Sequence, residues 1–192
     1  MKRVFIIHCW EGYLEYCWYP YLKRELKARG FKVEVPAFPD TDNPKQNKWV
    51  SCLAEQVGAP DENTFLVGHS IGAATILRYL ETLPDNEKIG GAVFVAGFTE
   101  DIGYEEVENF FKVPFDFTKI KSRAKKGFVA IHSDNDPYID LKFSKIFQEK
   151  FGAEIIIEHA KGHFSGSIEN EPACTELPIA LEKILEMAEA GP

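Results

Sequence analysis

Thr64-Phe65-Leu66-Val67-Gly68-His69-Ser70-Ile71-Gly72-Ala73-Ala74-Thr75-Ile76-Leu77 is the stretch that decides the fold. Its first four residues are a short apolar run bounded by β-branched residues, which predicts a buried strand over Thr64–Val67. From Ile71 to Leu83 the apolar positions predict a helix. Between the two stands Gly68-His69-Ser70-Ile71-Gly72, a G-x-S-x-G pentapeptide in a strand–turn–helix setting. So sharp a turn forces its serine into a strained backbone conformation. Glycine on both flanks keeps side chains from colliding with strand and helix. Ser70 is then held at a helix N-terminus, where the backbone N–H of Ile71 can point at an oxyanion. The plainer alternative is a glycine-flanked turn with Ser70 as an ordinary helix N-cap.

Outward from this turn the chain alternates between strand-like and helix-like segments. Upstream, Val4–Ile7 reads as a buried strand and Trp18–Arg29 as a helix stopped by Gly30. Lys32–Val35 follows as a strand closed by Pro36, and Trp49–Val57 as a helix stopped by Gly58 and Pro60. Downstream, Gly91–Val95 and Phe128–Ile131 are strands, a helix runs from about Tyr138 to Phe151, Glu154–Ile157 is the last strand and Pro178–Met187 the last helix. Such alternation predicts βαβ units. The expected fold class is therefore α/β, a single domain over residues 1–192 with a mostly parallel sheet and helices on both faces. Phe98–Phe117 breaks the pattern: it is aromatic and acidic with weak periodicity. It falls where such folds place a lid, and its shortness predicts a minimal cap.

A serine hydroxyl is a poor nucleophile until a base takes its proton, and the base needs an anchor. In folds with this turn the chain order is serine, then acid, then histidine, each on a loop after a strand. His163, in Lys161-Gly162-His163-Phe164, stands just past the last strand and is the expected base, with His159 as competitor. The expected acid is Asp136, in His132-Ser133-Asp134-Asn135-Asp136-Pro137, with Asp134 next in order. An Asp before Pro is also a standard helix start. A second oxyanion donor is expected from the loop after the first strand, His8-Cys9-Trp10-Glu11-Gly12, either the Trp10 or the Cys9 amide. Cys9, Trp10, Phe98, Tyr138 and Phe164 are the candidate walls of an apolar substrate pocket. Taken singly, each of the aromatic residues of the Phe98–Phe117 segment reads more readily as core.

Composition narrows the partners. The chain has 192 residues and a formal net charge of -8, which argues against nucleic acid and against anionic membrane surfaces. The four cysteines Cys9, Cys17, Cys52 and Cys174 show no C-x-x-C pair and no zinc-site spacing, and nucleophilic catalysis by serine, histidine and acid requires neither metal nor organic cofactor. Free thiols and a short N-terminal apolar run point to a cytoplasmic protein.

These residues together resemble the α/β-hydrolase superfamily, and within it the small single-domain serine hydrolase group typified by retinoblastoma-binding protein 9. The similarity runs through the His8–Gly12 loop, Pro39-Asp40, Trp49, Gly68–Ala73, Leu77-Arg78-Tyr79, Thr99–Gly103, Ser133–Pro137 and Gly162–Phe164. It implies Asp136 as acid and His163 as base, in agreement with the chain order, and hydrolysis of small esters or amides. Two features depart from the group. Cys9 stands where many members carry glycine, and the Leu-x-Cys-x-Glu motif is absent, so retinoblastoma binding is not inferred and any protein partner stays unknown. The expected function is a serine hydrolase of the carboxylesterase kind, acting on small esters through an acyl-enzyme, with thioesters and amides open to the same machinery. The competing reading is a catalytically weak hydrolase-fold protein that serves as an interaction module.

Overall fold

The computed structural model describes residues 1–166 and 173–190. Six strands form one sheet: β1 (Arg3–Ile7), β2 (Lys32–Glu34), β3 (Thr64–His69), β4 (Gly91–Val95), β5 (Phe128–Ser133) and β6 (Glu154–Glu158). Their spatial order is β2-β1-β3-β4-β5-β6, and each of the five pairings is parallel. All residues of β3, β4 and β5 are buried. That matches their near-continuous apolar sequence, because a parallel sheet is covered on both faces.

The connecting helices are α1 (Tyr19–Ala28), α2 (Gln46–Val57), α3 (Ile71–Thr82), α4 (Glu105–Glu108), α5 (Phe117–Lys121), α6 (Lys142–Ile146) and α7 (Pro178–Glu189). From β1 the chain steps to one side to form β2, then crosses back to β3 and proceeds the other way. Parallel crossovers are right-handed, so this reversal puts α1 on the opposite face from α2 and α3. Contacts agree: α2 and α5 pack on α3, whereas α7 packs on α1. The reversal also opens a crevice at the carboxyl ends of β1 and β3, where open α/β sheets bind ligands.

Two sequence expectations change. The helix expected from about Tyr138 begins only at Lys142, and its second half, Phe147–Phe151, is a π-helical turn ended by Gly152 at φ 70°. At the front end Asp136 Oδ1 accepts from the Tyr138 and Ile139 amides at 2.9 and 3.0 Å. Those bonds close a turn, and no helix propagates from it until Lys142. In the wider turn Phe147 and Phe151 both reach the core, 5.4 Å apart, where Phe147 meets Phe94 and Phe151 meets Phe117. The other strand and helix boundaries shift by three residues or fewer.

Candidate active site

The end of β3 delivers Ser70 at φ 56° and ψ -120°, a left-handed conformation that costs an L-residue strain. Close packing holds it there. A Cβ on Gly68 would lie 2.7 Å from the Ala73 amide nitrogen and from Ile76 Cδ1, and one on Gly72 would strike the Ile7 and His8 carbonyls. The two glycines thus let α3 press against β1 and its own strand. The Ser70 amide donates to the Val95 carbonyl at 2.8 Å, which ties the turn to the neighbouring strand. Its side chain makes no capping hydrogen bond to α3, which removes the plain N-cap alternative. The Ile71 amide heads the helix, where N–H groups have no intrahelical partner.

The loops after β5 and β6 are clasped residue by residue. The Asp134 carboxylate takes His159 Nδ1 at 2.6 Å and the Ala160 amide at 2.9 Å. Ser133 Oγ accepts from the Lys161 amide at 2.9 Å, and Asn135 Oδ1 accepts from the Gly162 amide at 2.8 Å. Asp136 Oδ2 then accepts from His163 Nδ1 at 2.8 Å. Left-handed residues at Ala160, Gly162 and Phe164 let the second loop follow the first. Two Asp–His pairs therefore lie side by side, and burial distinguishes them. The side chains of Asp136 and His163 are 2% and 10% exposed, whereas His159 is 90% exposed. Asp134, held low first by the Ala160 amide and then by His159, is a surface group that anchors the loop.

Ser70, Ile71 and His163 share a cavity of about 540 Å³ with Cys9, Trp10, Glu11, Tyr16, Phe98, Ile102, Tyr104, Val107, Tyr138, Ile139 and Ser165. Of the expected walls, Cys9, Trp10, Phe98 and Tyr138 are there. Phe164 is not: it is fully buried, 0% exposed, and belongs to the core. Its left-handed backbone, φ 54°, turns it away as His163 turns in. Phe110 and Phe115 are also core, joined to Phe98 through Phe111 in an aromatic chain with 5.0 to 6.5 Å between neighbouring centroids. The segment between β4 and β5 is thus a small cap that contributes Phe98, Ile102, Tyr104 and Val107 to the cavity. Buried Arg78 fastens it to α3, donating to the Phe110 carbonyl at 2.9 and 2.8 Å and to the Val113 carbonyl, with Phe115 stacked 3.7 Å from its guanidinium.

A buried polar chain runs beneath the cavity, and sequence reasoning missed it. The Cys9 amide donates to Tyr19 Oη at 3.0 Å, Tyr19 Oη meets His69 Nδ1 at 2.8 Å, and His69 Nε2 meets the His163 carbonyl at 2.7 Å. Burial, assisted by the neighbouring His163, holds the His69 imidazole well below the usual histidine range. Of the two oxyanion-loop amides considered, that of Cys9 is thereby committed to Tyr19. Nothing at Trp18-Tyr19-Pro20 marks a helix start as part of a site, because the link spans fifty positions in sequence.

Comparison with known proteins bears on the family and the fold. The sequence model of the family described as serine hydrolase matches residues 4–172. YdeN of Bacillus subtilis (strain 168) is 32% identical over 182 residues, which cover 94% of this chain and 93% of that protein. The crystal structure of that gene product superposes with a TM-score of 0.91, at 30% identity, covering 99% of this chain and 100% of the other. Serine hydrolase RBBP9 of Rattus norvegicus is 25% identical over 153 residues, 78% of this chain and 79% of that protein.

Proposed function

The chain belongs to the serine hydrolase family, and from that premise we propose that it is a carboxylesterase working through Ser70, His163 and Asp136. The observation that carries this reading is the Asp136–His163 pair, joined at 2.8 Å with both side chains largely shielded from solvent, and His163 lines the cavity that Ser70 also lines. An ionised carboxylate can only accept, so His163 Nδ1 carries the proton and Nε2 keeps the lone pair a base needs.

In the proposed reaction Ser70 Oγ attacks the ester carbonyl carbon and its proton passes to His163 Nε2. The oxyanion is met by the Ile71 and Trp10 amides. Collapse breaks the bond to the alcohol oxygen, which leaves with the proton from His163. Water, deprotonated by the same imidazole, then releases the acid. Asp136 holds the ring in the required tautomer and stabilises the imidazolium.

The lining suits a compact substrate. Its walls are mostly apolar, and among the described lining residues there is no Lys or Arg, while Glu11 is one of them. Small neutral esters fit that chemistry better than polyanionic thioesters, whose phosphates call for basic partners. The free cysteines suit a reducing compartment, and a cytoplasmic location belongs to the same proposal.

The test is labelling of the native protein with a fluorophosphonate, followed by peptide mass spectrometry and a p-nitrophenyl ester series of increasing acyl length. The label is expected on Ser70 alone, with turnover highest for short chains. A folded sample that takes no label favours the interaction-module reading.

A further inference from the structure

The direction of the buried chain beneath the cavity is fixed by its ends. A carbonyl only accepts, so His69 Nε2 carries the proton at the 2.7 Å bond to the His163 carbonyl, and Nδ1 is then an acceptor. Tyr19 donates its hydroxyl proton to that Nδ1 at 2.8 Å. A backbone amide only donates, so the Tyr19 oxygen accepts from Cys9 at 3.0 Å. Each donor meets an acceptor along the chain, and the directions are mutually consistent. Tyr19 and His69 are both 0% exposed, so no solvent competes for these bonds, and in such surroundings an unmade one is costly.

The chain joins three loops that the sequence keeps apart: the one after β1 with the Trp10 amide, the turn bearing Ser70, and the one after β6 bearing His163. His69 is also stacked near the base itself, its ring centroid 5.1 Å from that of His163. We propose that Tyr19 is a positioning residue of the hydrolytic site: through one hydroxyl it fixes the oxyanion loop on one side and, through His69, the base loop on the other. By occupying the Cys9 amide it leaves the Trp10 amide as the loop's donor to the oxyanion. The inference rests on the hydrolase reading of Ser70 and His163 and adds a residue that touches neither substrate nor nucleophile.

The test compares wild type, Tyr19→Phe, His69→Gln and the double variant on p-nitrophenyl acetate, with fluorophosphonate labelling of the wild type as a control. Tyr19→Phe keeps the ring and its edge contact with Trp18 at 4.7 Å but breaks both hydroxyl bonds. Displacement of the loops by a fraction of an ångström to an ångström should lower kcat by about 10- to 100-fold, with KM changed less than about twofold. Because Tyr19 reaches the base loop through His69, the double variant should lose little more than the worse single variant. A residue that only stabilises the fold would lower the melting temperature and leave kcat near wild type well below it. Unchanged kcat in folded Tyr19→Phe, or strictly additive losses, would overturn the proposal. So would a ¹⁵N spectrum of the wild type showing the His69 proton on Nδ1. Failure of the hydrolase reading is distinct: there the wild type itself takes no label, and the proposal falls with it.

Discussion

Asp136 serves two masters with its two carboxylate oxygens: Oδ2 receives His163 Nδ1 at 2.8 Å, while Oδ1 receives the Tyr138 and Ile139 amides at 2.9 and 3.0 Å. The same side chain therefore closes its own turn and orients the imidazole. Asp136→Asn can keep the turn with its amide oxygen, but its NH₂ presented to Nδ1 would favour the wrong tautomer. Ester kcat should fall about 10⁴-fold with the protein still folded. Asp134→Asn, on the exposed pair with His159, should cost less than about tenfold. Steady-state kinetics on both variants, with circular dichroism as the fold control, would show the roles exchanged if the losses are reversed.

Gly72 lies against the Ile7 and His8 carbonyls at the end of β1. These are backbone atoms, which cannot move aside as a flexible side chain would. Gly72→Ala should therefore destabilise by about 1–3 kcal/mol or more, the range for overpacking, despite the gain in helix propensity. A thermal melt matching wild type would mean that α3 can shift away from β1 freely.

Burial lowers the pKa values of His8, His69 and His132, in each case as the leading cause. A depressed histidine stays neutral in the fold while the unfolded chain protonates below its ordinary 6.5. Stability is then fully present above that value and is lost as pH falls through the window beneath it. Each such histidine adds about 1.4 kcal/mol per pH unit to the slope there. Urea midpoints at pH 7.5 and pH 5.5 should differ clearly, the acidic one lower. Equal midpoints would show that the three rings protonate without penalty.

The Cys9 thiol lines the cavity, yet burial pushes it up to about 11, with Glu11 a minor contributor in the same direction. At pH 8 only about one thiol in 10³ would be thiolate, the reactive form. Iodoacetamide should therefore modify the less buried Cys52 well before Cys9 in native protein, as peptide mapping over time would record. The linkage has the opposite sign to that of the histidines. The contribution of Cys9 to stability is whole below the ordinary thiol value of 9.0 and is lost as pH rises from there to about 11. Fast alkylation of Cys9 at pH 8 would contradict this environment.

Much of the architecture is local in origin and was legible in the residues alone. Gly68-His69-Ser70-Ile71-Gly72 between an apolar run and a helical period marks a sharp strand-to-helix turn in the sequence itself, its two glycines leaving room for close approaches on either side. Strand–helix alternation implies a parallel sheet for the same kind of reason, each element carrying its own period. The order of Ser70, Asp136 and His163 could be read along the chain, since each follows a strand.

What the sequence left open were choices between neighbours and links between distant residues. Asp134 and Asp136, like His159 and His163, are near-equivalent in one dimension. Only the course of two clasped loops buries one pair at the cavity and leaves the other in water. Phe164 and the cap aromatics have the composition of pocket walls, but a residue's facing depends on backbone turns that periodicity does not encode. Tyr19 shows the limit most plainly. It reads as an apolar position near the start of a helix, and it became a bridge between three loops only when the sheet brought β1 and β3 side by side. A hydrogen bond of 2.8 Å between residues fifty positions apart is decided by packing, because only the folded core excludes water and fixes the distance.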